Sequence, residues 1–160
     1  MPDLTHLDEK GCVRMVDISE KQETRREATA EGFVRMRSDT FALIKSNRVK
    51  KGNVLETARI AGIMAAKKTS DLIPLCHPIA ITHAHIDFSF DATSSSIAIR
   101  VTVRVTGQTG VEMEALTAVS AAALTIYDMC KSYDREMVIS DIRLTEKSGG
   151  KSGTFVRGEE

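Results

Sequence analysis

The chain has 160 residues and 17.5 kDa, with 42% hydrophobic and 28% charged residues, which is one ordinary domain that buries roughly 70% of its unfolded surface. Lys plus Arg and Asp plus Glu both total 22, so the net charge is zero, without the basic excess that a nucleic-acid grip usually carries. Aromatics are only 4% and Trp is absent, which disfavours a stacking platform for single strands and leaves the core to Ile, Val, Leu, Met and Ala.

Residues 1–20 read as an extended arm on a single domain spanning 1–160. The stretch up to Arg26 is dense in charge and has no apolar leader. No apolar run approaches the ~20 residues that span a bilayer. Cys12, Cys76 and Cys130 are far apart and form no CxxC, which fits reduced thiols. The expectation is a cytoplasmic protein with no membrane and no nucleic-acid partner.

From Arg25 to Met36 the chain alternates, with Ala28, Ala30, Gly32 and Val34 on one side and Glu27, Thr29, Glu31 and Phe33 on the other. Period two predicts a strand. Ser38 is expected to cap a short helix carrying Phe41, Leu43 and Ile44. Asn53 followed by Glu56 reads as a capping pair opening a helix to about Lys68. Pro74 and Pro78 bracket a stiff loop, Leu75-Cys76-His77. Residues 80–90 and 97–105 alternate again and predict two strands joined through Asp91 to Ser96. Thr109-Gly110-Val111-Glu112 has the form of a capping box before a helix running to Lys131. Met137 to Leu144 reads as the last strand. The order predicts an α+β fold: a ferredoxin-like βαββαβ unit, four antiparallel strands with the helices packed on one face.

The helix from Glu112 to Lys131 carries small residues in its body and charge at its ends. Asp128 and Lys131 are three apart and share a face. Counted in turns, Glu114 falls on the same slanted stripe as Asp128. An acid and an amine facing one cleft can move protons; the plainer reading is a surface ion pair worth ~0–1 kcal/mol. Cys76, His77, His83 and His85 raise a zinc reading of weak spacing, so no metal is expected. Residues 147–153, Lys-Ser-Gly-Gly-Lys-Ser-Gly, end like a Walker A loop, but Thr145 stands where its first Gly belongs and too few residues follow for the helix. A flexible Gly/Lys loop that binds phosphate oxygens and a solvated tail over 147–160 both stay open.

Taken together, these blocks resemble the MoaC family of molybdenum-cofactor biosynthesis. The matching stretches are Met15-Val16-Asp17-Ile18-Ser19, Lys51-Gly52-Asn53-Val54, Asp71-Leu72-Ile73-Pro74-Leu75-Cys76-His77-Pro78, Thr109 to Ala118, Tyr127 to Lys131 and Lys147 to Gly153. The resemblance implies a lyase that turns a GTP-derived, 3′,8-cyclised nucleotide triphosphate into cyclic pyranopterin monophosphate and pyrophosphate. It implies Asp128, Lys131 and Lys51 as the catalytic set. It places Leu75, Cys76, His77, Glu112, Met113 and Glu114 on the substrate, and Lys67, Lys147 and Arg26 around its phosphates or base. It implies a homohexamer built as a trimer of dimers, a site between subunits, and an upstream radical enzyme that supplies the substrate. No redox step is required, so no cofactor is expected. Lys51 and Asp128 are expected to come from different subunits. A non-catalytic sensor of purine nucleotides is the competing reading.

Overall fold

The computed structural model describes residues 5–158. Residues 1–4 of the expected arm and residues 159–160 of the expected tail lie outside the described residues. In chain order the elements are β1 (Thr24–Arg35), α1 (Ser38–Lys45), α2 (Val54–Lys67), α3 (Thr69–Leu72), β2 (His83–Asp91), β3 (Ser96–Gly107), α4 (Glu112–Cys130), β4 (Val138–Ser148) and β5 (Phe155–Val156). The fold is α+β, with one antiparallel sheet in the order β2-β3-β1-β4-β5.

The alternation in β1 does what period two requires. Ala28, Ala30 and Val34 are buried and lie opposite Val103, Val101 and Ile97 of β3. That apolar face carries the helices. A side chain at Gly32 would meet Val119 Cγ1 of α4 at 2.7 Å. Gly62 of α2 lies against Ile86 of β2 and the Ala118 carbonyl of α4. Phe41 of α1 meets Phe90 of β2 edge-on at 5.4 Å. The opposite face is polar, with Glu31 held by Arg143 at 2.9 Å and Glu27 paired to Arg104. In α4, Ala115, Ala118, Val119, Ala122, Ala123 and Ile126 are fully buried. Small side chains there let α2 and the sheet approach the helix from two sides.

Three expectations are corrected. The sheet has five strands, not four: β4 runs on to Ser148, and Gly149, Gly150 and Gly153 take positive φ, which lets the chain reverse and pair β5 with Glu146 and Lys147. Ser38 is the first residue of α1 rather than its cap; Arg37 holds the cap position without a side-chain bond. The capping box at Thr109 does not form, since Val111 precedes α4 with no side-chain cap and the Glu112 carboxylate turns to Lys147 at 3.3 Å. Asn53 does cap α2, its carbonyl oxygen accepting from Glu56 N at 3.1 Å.

Candidate active site

A cavity of about 270 Å³ opens at the N-terminal end of α4. It gathers Leu75, Cys76 and His77 from the proline-bracketed loop and Glu112, Met113 and Glu114 from the first turn of α4. The loop tightens through Cys76 N donating to Ile73 O at 3.1 Å. His77 Nε2–H donates to Val16 O at 2.6 Å. A carbonyl can only accept, so Nε2 carries a hydrogen and the ring is held in one orientation. Glu114 is only 3% exposed. Burial, with Glu112 adding repulsion, pushes its carboxyl up to about 7. Burial and then Glu114 also raise the Cys76 thiol. Beside the cavity, Lys147 Nζ pairs with Glu112 and donates to Ser152 Oγ at 2.5 Å. Arg26 is held by the carbonyls of Gly107 and Gln108, at 3.0 and 3.2 Å.

The other end of α4 carries the expected catalytic set. Lys131 Nζ lies 2.7 Å from Asp128 Oδ1, and Lys51 Nζ donates to Asp128 O at 3.0 Å. The Lys131 hydrogen bond, then the charges of Lys131 and Lys51, hold the Asp128 carboxyl below its ordinary range. The two side chains of the ion pair are 51% and 63% exposed, so the pair contributes little to stability. Lys51 and Asp128 meet within one chain, which corrects their expected origin in different subunits. The reason is that α2 and α4 run antiparallel in contact, bringing the turn before α2 to the end of α4.

The stripe along α4 therefore runs from a buried carboxylate to an exposed one. Glu114 and Asp128 are 14 residues apart, about 21 Å along the helix, and the cavity that takes Glu114 does not reach Asp128. Lys67, at the end of α2, is exposed and lines neither site. His83 and His85 stack at 6.2 Å on the polar face of the sheet, while Cys76 and His77 line the cavity, so the four do not converge. Sequence reasoning left the arm without a role in the site. Val16 and Ile18 line the cavity, as does Lys21 just beyond the arm; the Met15-to-Ser19 block was the only signal for the first two, and Lys21 had none.

An oriented histidine, a buried carboxylate of raised pKa, and an acid paired with one ammonium and near a second are side chains of the kind that acid–base chemistry uses. The chain belongs to the MoaC family, whose model matches residues 15–150. It is similar to the cyclic pyranopterin monophosphate synthase of Heliobacterium modesticaldum, 60% identical over 159 residues, covering 99% of this chain and 100% of the relative. The synthase of the same name from Roseiflexus sp. is 62% identical, covering 98% and 99% of the two chains. That of Desulforapulum autotrophicum is 61% identical, covering 98% and 96%.

Proposed function

We propose that the chain converts a 3′,8-cyclised dihydro-GTP to cyclic pyranopterin monophosphate with release of pyrophosphate, as a lyase of molybdenum-cofactor biosynthesis. The observation that carries this reading is identity of about 60% along nearly the whole chain with synthases of that name. Opening and reclosing the rings of a reduced purine needs protons moved near neutral pH, and loss of pyrophosphate needs cations on the leaving group. Asp128, kept ionised between Lys131 and Lys51, is assigned as the acid–base centre, with the lysines supplying protons. Leu75, Cys76, His77, Glu112, Met113 and Glu114 are assigned to the ring system. Lys147 and Arg26 are assigned to the phosphates. Lys67 keeps its place in the substrate-binding set from the resemblance alone.

The separation along α4 supports a site shared between subunits. The cavity at the N-terminal end of α4 lacks the exposed acid–base set, which stands in solvent at the far end of the helix. A two-fold contact that lays α4 against its copy in antiparallel fashion joins the two halves twice over. We assign the chain to a homohexamer, a trimer of such dimers, in the cytoplasm, where free Cys12, Cys76 and Cys130 stay reduced. An upstream radical enzyme supplies the cyclised triphosphate. The order β2-β3-β1-β4 with its two crossover helices supports a ferredoxin-like core, with β5 an edge addition.

The test of the reaction is turnover of the cyclised triphosphate, read as pyrophosphate released. Binding without release supports the sensor reading instead. The test of the shared site is co-refolding of His77→Ala with Asp128→Ala, each inactive alone. A mixed dimer has one site with both defects and one with neither, so an equal mixture recovers about a quarter of wild-type activity. A mixture as inactive as its parents places the whole site in one chain. Lys51→Ala mixed with Asp128→Ala recovers nothing, because both defects fall in the same half.

A further inference from the structure

Asp128 and Lys131 are placed by the last turn of α4, but Lys51 comes from the loop between α1 and α2. Val49 is buried at one side of that loop, and Asn53 caps α2 at the other. Between them Gly52 takes φ of +111°, and Lys50 and Lys51 are exposed. Among the described residues, these two lysines bond outside the loop at two points. Lys50 N–H donates to the Tyr133 hydroxyl at 3.1 Å, and Lys51 Nζ donates to Asp128 O at 3.0 Å. The second bond belongs to the acid–base set itself and loosens whenever Lys51 gives up a proton. The first is the one that can hold the loop while that happens.

Tyr133 can serve as a fixed post because the turn that carries it is bolted down on several sides. Its N–H donates to Cys130 O at 2.9 Å, which ties it to the end of α4. Its carbonyl accepts from Arg37 Nη2 at 2.7 Å. Next to it Asp134 is only 2% exposed and accepts from Arg37 N at 2.8 Å and Glu136 N at 2.9 Å. A buried carboxylate with both oxygens taken by backbone N–H groups is a stiff joint, since breaking either bond leaves a buried charge short of a partner. Tyr127 of α4 adds a further tie, its hydroxyl donating to Arg135 O at 3.1 Å. The Tyr133 ring is half-buried against the core, so its hydroxyl has little room to swing.

We propose that Tyr133 is a positioning residue for Lys51: its hydroxyl, accepting from Lys50 N, holds the loop where the Lys51 ammonium meets Asp128. The inference rests on the reaction assigned above, in which Lys51 supplies a proton, and it adds a residue that neither the catalytic nor the substrate-binding set contains. Misplacing a reacting group by about 1 Å can cost ~10²-fold in rate. A loop that keeps its ends but loses its outside brace is expected to cost about tenfold.

The test is Tyr133→Phe, which keeps the ring and removes the hydroxyl, made in wild type and in Lys51→Ala and measured on the full-length assembly. Lys50 is exposed, so water takes up its freed N–H, and the melting temperature is expected to stay within about 2 °C of the parent. Exchange of the Lys50 amide, followed by mass spectrometry on a peptide from this loop, is expected to quicken severalfold. In wild type, kcat for pyrophosphate release is expected to fall about tenfold while KM stays near its parent value. In Lys51→Ala, the same substitution is expected to change the residual kcat by less than about twofold, because the lysine it positions is gone. Unchanged exchange at Lys50 overturns the brace, whatever the turnover. Faster exchange with unchanged kcat, or a loss of kcat that persists in full without Lys51, overturns the positioning role. Faster exchange at Lys50 in a protein whose wild type turns over no cyclised triphosphate keeps the brace and overturns the reaction.

Discussion

The two ends of α4 differ in almost every physical respect. At its N-terminus, Glu114 is buried, His77 is fixed by a backbone carbonyl, and the arm closes over a cavity. At its C-terminus, Asp128, Lys131 and Lys51 stand in solvent and bond to one another. Burial raises a carboxyl and fixes geometry; two ammoniums lower a carboxyl and leave it free to exchange protons. The difference teaches that one helix carries two chemically distinct ends; under the proposed function, ring recognition would fall to the first and proton transfer to the second, and assembly would have to bring them together.

The comparison breaks most sharply at the exposed end. Asp128→Ala and Lys131→Ala should each lower turnover by ~10²–10⁴, while stability stays within about 0.5 kcal/mol of wild type, as for most surface changes. Steady-state pyrophosphate release and urea unfolding measure the two. Near wild-type turnover in both variants returns the pair to a surface ion bridge and removes the division of labour.

The buried end makes the opposite prediction, in stability rather than rate. The ordinary carboxyl value is 4.5 and the folded value for Glu114 is about 7. Between these limits the folded chain binds the proton more tightly than the unfolded one, so stability falls as pH rises through the window and is flat above it. The loss is of order 3 kcal/mol across that range. Urea midpoints for wild type and Glu114→Gln at about pH 5 and pH 8 check it. The Gln variant should lose most of the slope. An equal slope in both proteins would mean that Glu114 is solvated and the two ends are alike. Asp128, lowered rather than raised, favours the folded chain above its ordinary range, but in open solvent it should leave no measurable slope.

How far the sequence foretold this depends on what each signal measures. Period two in β1 and β3 records burial on one face directly, and both strands lie where the alternation put them. The two residues of β5 are too short to show a period; their pairing follows from the glycine turn before them. Counting turns places Glu114 and Asp128 on one stripe, yet turn counting says nothing about what covers each end. Glu114 shares its cavity with the loop from Leu75 to His77, some forty residues earlier, and with Val16 and Ile18 of the arm. Val16 and Ile18 carry no chemistry of their own, so residue type could not assign them to the cavity. The contact between Lys51 and Asp128 follows from the antiparallel packing of α2 on α4, a tertiary fact that neither helix encodes alone.

That packing supplies the smallest effect and the one that ties the ends together. Gly62 of α2 is buried against α4, where an added Cβ would meet the Ala118 carbonyl at 3.1 Å and Ala122 Cβ at 3.6 Å, and would overlap the tip of Ile86. Ile86 can turn aside, but the backbone of α4 cannot. Gly62→Ala gains about 1 kcal/mol in helix propensity and loses about 1–3 kcal/mol to overpacking, a net destabilisation near 1 kcal/mol that a urea midpoint resolves. Its larger consequence is positional. A shift of α2 away from α4 carries Lys51 off the Asp128 carbonyl, now 3.0 Å away, whereas the cavity residues Glu112 and Glu114 belong to α4 and stay in place. Gly62→Ala should therefore lower kcat several-fold while leaving substrate affinity near wild type. Loss of affinity with an unchanged kcat would show that α2 supports the cavity and not the acid–base set.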